Sequence, residues 1–150
     1  MKVIFCDIDG VLNSEHGRKA GHRAVGGIEE RKVKALKKII DNTGAEVVIV
    51  SRANSFMGNE YDLQRKNSIK SFGVIPYDSL MDIMINESKA KAINRWLKKH
   101  NDVTDYVVID DCKDDLKMYY GKRFIHIKSI YGLTNKTADK VIEILKTGVW

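Results

Sequence analysis

Three short apolar runs, each stopping abruptly at charged or hydroxyl side chains, constrain the fold of this 150-residue chain most tightly. Val3-Ile4-Phe5-Cys6 gives way to Asp7-Ile8-Asp9-Gly10, Val47-Val48-Ile49-Val50 to Ser51-Arg52, and Val107-Val108-Ile109 to Asp110-Asp111. Runs this short, separated by longer amphipathic stretches, read as buried strands alternating with helices. The expected class is therefore α/β, with a mainly parallel, Rossmann-like sheet flanked by helices. Parallel strands put their C-terminal ends on one edge, and that edge is where such sheets bind ligands. One polar strand ending is ordinary; three on a common edge make a candidate site.

The spacing predicts strands over 2–7, 45–50, 105–110 and 123–127, and a shorter one near Val74-Ile75. It predicts helices over 28–43, 58–72, 87–100 and 135–146. Ile28, Val33, Leu36, Ile39 and Ile40 share one face of the first, and Gly44 is a good stop. Ala92, Ile93, Trp96 and Leu97 share a face of the third, and Ala138, Val141, Ile142 and Leu145 face inward on the last. Residues 77–86 read as a loop. Residues 10–27, glycines interleaved with basic side chains, read as a loop or small flap after the first strand. Asp114 and Asp115 suit a helix cap or turn. No repeat, linker or low-complexity stretch divides the chain, so residues 1–150 are expected to form one domain.

Hydrophobic residues make up 43% and charged residues 31%, the balance of a soluble globular protein. No apolar run approaches the roughly 20 residues that span a bilayer. The apolar N-terminal stretch is too short for a signal peptide and runs straight into acid. Two cysteines, Cys6 and Cys112, are too few for a disulfide framework or a structural zinc site. A cytoplasmic protein with no membrane partner is expected. The net charge of +6 attracts anions. Its spread, without an arginine-rich arm, zinc-finger spacing or RNA-recognition motif, suits a phosphate-bearing partner without marking nucleic acid. The stretch Arg31-Lys32-Val33-Lys34, with Lys37-Lys38, reads as the solvated face of a helix. Arg18, Lys19, His22 and Arg23 in the flap are candidates to grip an anionic substrate, or form a plain basic loop. His16 is a flap contact candidate, while His100 and His126 read as structural or exposed. Cys6 points to the opposite sheet face from Asp7 and is expected in the core, as is Trp96; the pattern gives Trp150 no role.

Two carboxylates two residues apart, delivered by a strand into a sharp turn, suit a metal ion and attack on phosphorus. An aspartate can open a phosphate monoester by nucleophilic attack, and water then cleaves the aspartyl-phosphate. Carboxylate and phosphate repel, so a divalent cation belongs between them; Mg2+ takes oxygen ligands and needs only one or two carboxylates. Asp7 suits the nucleophile and a metal ligand. Asp9 suits the general acid and base. Ser51 suits a phosphoryl oxygen, a lysine the developing charge, and Asp110 with Asp111 the rest of the metal site. A calcium loop is excluded, because glycine directly follows the second acid and a strand precedes it.

These residues resemble the haloacid dehalogenase (HAD) superfamily of phosphohydrolases. Asp7-Ile8-Asp9-Gly10-Val11-Leu12 is similar to its first motif, Val48-Ile49-Val50-Ser51 to its second and Val107-Val108-Ile109-Asp110-Asp111 to its fourth. The third-motif lysine falls at Lys89, with Lys91 as the alternate. Within the superfamily the chain resembles the small domain associated with RNA-repair proteins, whose lysine opens a Lys-x-x-x-Ile-x-x-Trp-Leu helix and whose tail is similar to Tyr131-Gly132-Leu133-Thr134. The resemblance implies that Asp7 is the nucleophile and that Asp9 is the acid/base, with its backbone carbonyl on the metal. It implies Asp111 as principal metal ligand, Asp110 as its partner, and Ser51 and Lys89 as phosphoryl holders. Related domains place a tryptophan and an arginine just after the second-motif serine, whereas this chain reads Ser51-Arg52-Ala53-Asn54, so Arg52 is a candidate from a shifted position. The short chain between the second and third motifs implies no large cap domain and an open site. The expected function is a Mg2+-dependent phosphomonoesterase, tilted towards nucleotides or nucleic-acid ends. The alternatives are a small-metabolite phosphatase and a non-catalytic module that binds a phosphate or nucleic-acid end.

Overall fold

The computed structural model describes residues 1–52, 58–83, 87–113 and 115–148, the side chains of 58, 59, 82 and 83 excepted. Ala53, Asn54, Asp114 and Trp150 lie outside the described residues. Five parallel strands form one sheet in the order β5-β4-β1-β6-β7. They are β1 (Lys2–Cys6), β4 (Glu46–Arg52), β5 (Asp78–Ile83), β6 (Asp105–Asp110) and β7 (Phe124–His126). A two-stranded hairpin, β2 (Ala24–Val25) with β3 (Ile28–Glu29), stands apart from it. The helices are α1 (Glu15–Lys19), α2 (Glu30–Thr43), α3 (Gly58–Ser71), α4 (Lys89–Lys98), α5 (Leu116–Tyr120) and α6 (Asn135–Thr147). Among the described residues no helix is long and apolar enough to cross a membrane.

Strand alternation sorts the core into two layers. Ile4 and Cys6 of β1 pack with Val33, Leu36 and Ile39 of α2 and Val141 and Leu145 of α6. Val3 and Phe5 face the other way, onto Ala92, Ile93 and Trp96 of α4. The same alternation in β6 sends Val107 and Ile109 to the first layer and Val108 to the second. Asp7 and Asp110 continue the parity of Phe5 and Val108, towards α4. Central β1 has β4 on one side and β6 on the other, so strand order reverses at its C-terminal end and opens a crevice there.

The structure differs from the sequence pattern in four places. The strand expected at Val74-Ile75 is irregular chain that follows a turn at Phe72-Gly73, with Gly73 at φ 105° and Ile75 exposed. The fifth strand lies instead within 77–86, the segment expected to be a loop. It is an edge strand, and its polar start is used: Asp78 accepts the Trp96 indole N–H at 2.7 Å. The helix expected from residue 28 starts at Glu30, because Ile28 and Glu29 pair with Ala24 and Val25. Lys32, placed by its neighbours on a solvated face, is buried. Between β4 and α4 the described residues form only α3 and β5, with no cap domain among them.

The flap is a built element. Ser14 caps α1 by accepting the Gly17 N–H, and buried Glu29 accepts the Ser14 N–H. His16 N–H donates to the Ile130 carbonyl at 2.9 Å and Leu133 N–H to the Val11 carbonyl at 2.9 Å, which lashes the flap to the loop after β7.

Candidate active site

The three strand ends meet as the topology requires. Asp7, Asp110 and Asp111 each offer a carboxylate oxygen, and the three oxygens lie within 4.8 Å of one another. Asp7 and Asp110 are buried and Asp111 half-buried. Lys89, first residue of α4, reaches both buried acids: its ammonium is 3.2 Å from Asp7 Oδ1 and donates to Asp110 Oδ2 at 2.8 Å. Ser88 caps that helix by accepting the Lys91 N–H, which fixes where α4 begins and therefore where Lys89 points. Lys91, the alternate, is exposed, whereas Lys89 lies against the two buried acids.

The electrostatics follow from burial. Loss of water, then repulsion from Asp110, pushes the Asp7 carboxyl up from 3.8 to about 8, although Lys89 pulls against both. Burial also raises Asp110, again with Lys89 opposing. Burial disfavours the Lys89 ammonium, yet attraction to Asp7 and Asp110 outweighs it and holds its pKa above the usual value. One lysine thus balances three close carboxylates incompletely. The donors are hard oxygens crowded within coordinating distance of one point, which fits a hard divalent cation. Gly10 completes the fit: at φ 79° its missing Cβ would lie 2.2 Å from Asp111 Oδ2. Only glycine lets the turn pass this close to that carboxylate.

Asp9 faces outward from the same turn, and its environment was not legible in the sequence. Arg65 of α3, distant in sequence, clamps it with two N–H donors, at 2.8 Å to Oδ1 and 3.2 Å to Oδ2. Asn13 donates to Oδ1 at 3.1 Å and with its own oxygen accepts the Gly10 N–H at 2.9 Å. Partial burial works to raise the Asp9 carboxyl, but the bonds from Arg65 and Asn13 outweigh it and hold it below the ordinary value. Arg65 is itself buried, over the Tyr61 ring at 5.1 Å. Helix α3 carries no clear apolar stripe, so no periodicity marked which of its charges turns inward.

The other candidates divide. Ser51 is buried at the end of β4, the strand beside β1. Arg52 is exposed and donates to the Glu87 carbonyl at 3.0 Å, bracing the segment that enters α4. Arg18 lines a cavity of about 600 Å³ between flap and sheet edge, shared with Asp9, Gly10, Asn13, Asp111 and Ser129. Lys19 pairs with Glu15 at 2.7 Å and Arg23 with Glu30 at 3.0 Å, and neither lines that cavity. Cys6 is fully buried and donates to the Asp7 carbonyl. His100 stacks on Trp96 at 3.6 Å, and His126 Nε2 lies 3.0 Å from the Asp111 carbonyl.

Residues 3–138 match the family described as "HAD domain in Swiss Army Knife RNA repair proteins". The chain belongs to that family. Among solved structures it is similar to D,D-heptose 1,7-bisphosphate phosphatase from Burkholderia thailandensis, with a TM-score of 0.53 and 16% identity, over 83% of this chain and 75% of that one. At that identity the likeness speaks for the fold, a Rossmann-like parallel sheet flanked by helices. No curated protein matches the chain.

Proposed function

We propose that this HAD domain is a Mg2+-dependent phosphomonoesterase working through an aspartyl-phosphate. The observation that carries the reading is the cluster of Asp7, Asp110 and Asp111 within 4.8 Å, bridged by Lys89 and flanked by Asp9. Asp7, Asp110, Asp111 and the Asp9 backbone carbonyl would hold the cation, which supplies charge neutralisation between nucleophile and phosphate.

In this reading an Asp7 oxygen attacks phosphorus as the bond to the leaving oxygen breaks. Asp9, ionised in the resting fold by Arg65 and Asn13, first takes up a proton from solvent as the phosphate settles beside it; it gives that proton to the leaving oxygen, then takes one from the water that opens the aspartyl-phosphate, releasing phosphate and restoring Asp7. Lys89 and Ser51 hold the phosphoryl oxygens, where fixed donors in a dry site count for most. Arg65 and Asn13 fix the direction of the Asp9 carboxylate. Arg18 and Arg52 are candidate contacts to the remainder of the substrate, with Lys19 and Arg23 further out on the flap.

The substrate class we favour is a nucleotide or nucleic-acid end. The family's description as a domain of RNA repair proteins and the chain's basic balance support it. A small-metabolite phosphatase is the second reading, favoured by the cavity of about 600 Å³, a size typical of small-ligand sites. Phosphate release with Mg2+ tests both, on an aryl phosphate, mononucleotides, and oligonucleotides bearing 3′- or 5′-phosphates. Release that chelator and Asp7→Asn both abolish is expected. Folded protein that binds Mg2+ and releases nothing from any of them would turn the reading to a binding module.

A further inference from the structure

The catalytic cleft leaves one buried cation unused. Lys32 sits in the first turn of α2 and is only 6% exposed. Among the described residues its ammonium has no hydrogen bond or ion pair. Glu29, the carboxylate that acts on Lys32 through space, is occupied by the N–H and hydroxyl of Ser14. Burial drags the Lys32 pKa below the usual value; Glu29 opposes that and Arg31 adds to it. The stem is buried while the ammonium keeps some solvent contact at a cavity wall, where a bound anion would supply the partner that the described residues do not.

Lys32 lines a second cavity, of about 280 Å³, with His16, His22, Arg31, Thr134 and Asn135. No carboxylate lines it among the described residues. Asn135 opens α6, a 13-residue helix. Thr134 accepts the Thr137 N–H, while the N–H groups of residues 135 and 136 have no acceptor within the helix. They add partial positive charge to the lysine and arginine. Gly132 shapes the wall: a Cβ there would lie 2.9 Å from Lys32 Cε, so the chain must be bare where the lysine stem passes. His22 lines this cavity and the catalytic one, and its buried Nδ1 has no hydrogen bond, with Glu29 4.0 Å away. His22 therefore stands between the two cavities and faces both.

We propose that the Lys32 cavity is a second anion site, taking a phosphate of the substrate other than the one hydrolysed. The assignment to substrate rests on the phosphatase reading; the anion site does not. The ligand chemistry is a compound with two phosphates: an oligonucleotide end with its adjoining phosphodiester, or a small bisphosphate.

Two measurements decide it. Inorganic phosphate is titrated into chelator-treated full-length protein while amide and histidine-ring NMR signals are followed. Shifts at residues 132–135, His16 and His22 are expected, and their loss in Lys32→Met, which keeps the aliphatic stem against Gly132. Arg31→Ala, at an exposed position, is expected to weaken them without disturbing the core. Absent shifts, or shifts that persist in Lys32→Met, would overturn the site. In turnover, Lys32→Met is expected to raise KM about tenfold, some 1.4 kcal/mol, for a 3′-phosphorylated oligonucleotide or a nucleoside 3′,5′-bisphosphate. KM for an aryl phosphate and all kcat values should hold. An effect on the oligonucleotide alone identifies a phosphodiester; an effect on the bisphosphate identifies a second monoester. An equal rise for the aryl phosphate would overturn the assignment to substrate. Protein that never turns over but shows the phosphate shifts would defeat the phosphatase reading and leave the anion site standing.

Discussion

Gly10→Ala separates backbone strain from metal binding. The added methyl meets Asp111 Oδ2 at 2.2 Å, Asp111 Cγ at 2.7 Å and Ser129 Cβ at 3.0 Å. No side-chain carbon tolerates the first two contacts, so the Asp111 carboxylate must turn away. Residue 10 also sits at φ 79°, where a non-glycine residue costs roughly 1–2 kcal/mol. In a domain of this size that strain lowers Tm by roughly 2–8 °C. Gly44→Ala is the control: it shares a positive φ, 70°, and caps the end of α2, but its Cβ would meet nothing within 4 Å. In chelator both variants should lose stability, with Gly44→Ala showing strain alone. With Mg2+ they should part. A tenfold weaker site forfeits about 1.4 kcal/mol of metal-linked stabilisation at saturation, a further loss of roughly 3–6 °C. The assay is thermal unfolding across a Mg2+ series, with and without chelator. A Gly10→Ala protein that gains as much from Mg2+ as wild type would refute the argument that Asp111 is a ligand held in place by the bare turn.

Three further outcomes are expected. Asp7 is raised to about 8 in the fold but ionises near 3.8 when unfolded, so the metal-free protein should lose stability as pH rises between those values and level off above; in chelator-treated urea titrations Asp7→Asn should be more stable than wild type at pH 8, with a flatter slope. Lys89→Met should cut kcat by roughly a hundredfold, while Lys91→Met, at an exposed position, should leave it near wild type, as phosphate release on one substrate will tell. Arg65→Ala should release Asp9 and cost roughly a hundredfold in kcat on alkyl phosphates, whose leaving oxygen needs a proton, and much less on p-nitrophenyl phosphate, with Arg65→Lys partly restoring it; equal losses on both would assign Arg65 a purely structural role.

The sequence by itself determined four of the five sheet strands and the acids that end two of them. Buried parallel strands are written as unbroken apolar runs, and a run that ends in Asp7, Ser51 or Asp110 marks a strand end with no further information needed. Helices α2, α4 and α6 were legible for the same local reason, a stripe of apolar residues on one face. Local pattern failed where the partner is distant. Edge strand β5 has polar residues because only one side of it is paired, and Asp78 is spent on Trp96. Arg65 and Lys32 look like any surface cation in sequence. Only the packing of α3 against the first turn brings Arg65 to Asp9, and only the closure of the flap and α6 over α2 buries Lys32. Charge is a property of the residue, but whether that charge is solvated, paired or held waiting for an anion depends on what the rest of the chain places around it, and that is decided in three dimensions.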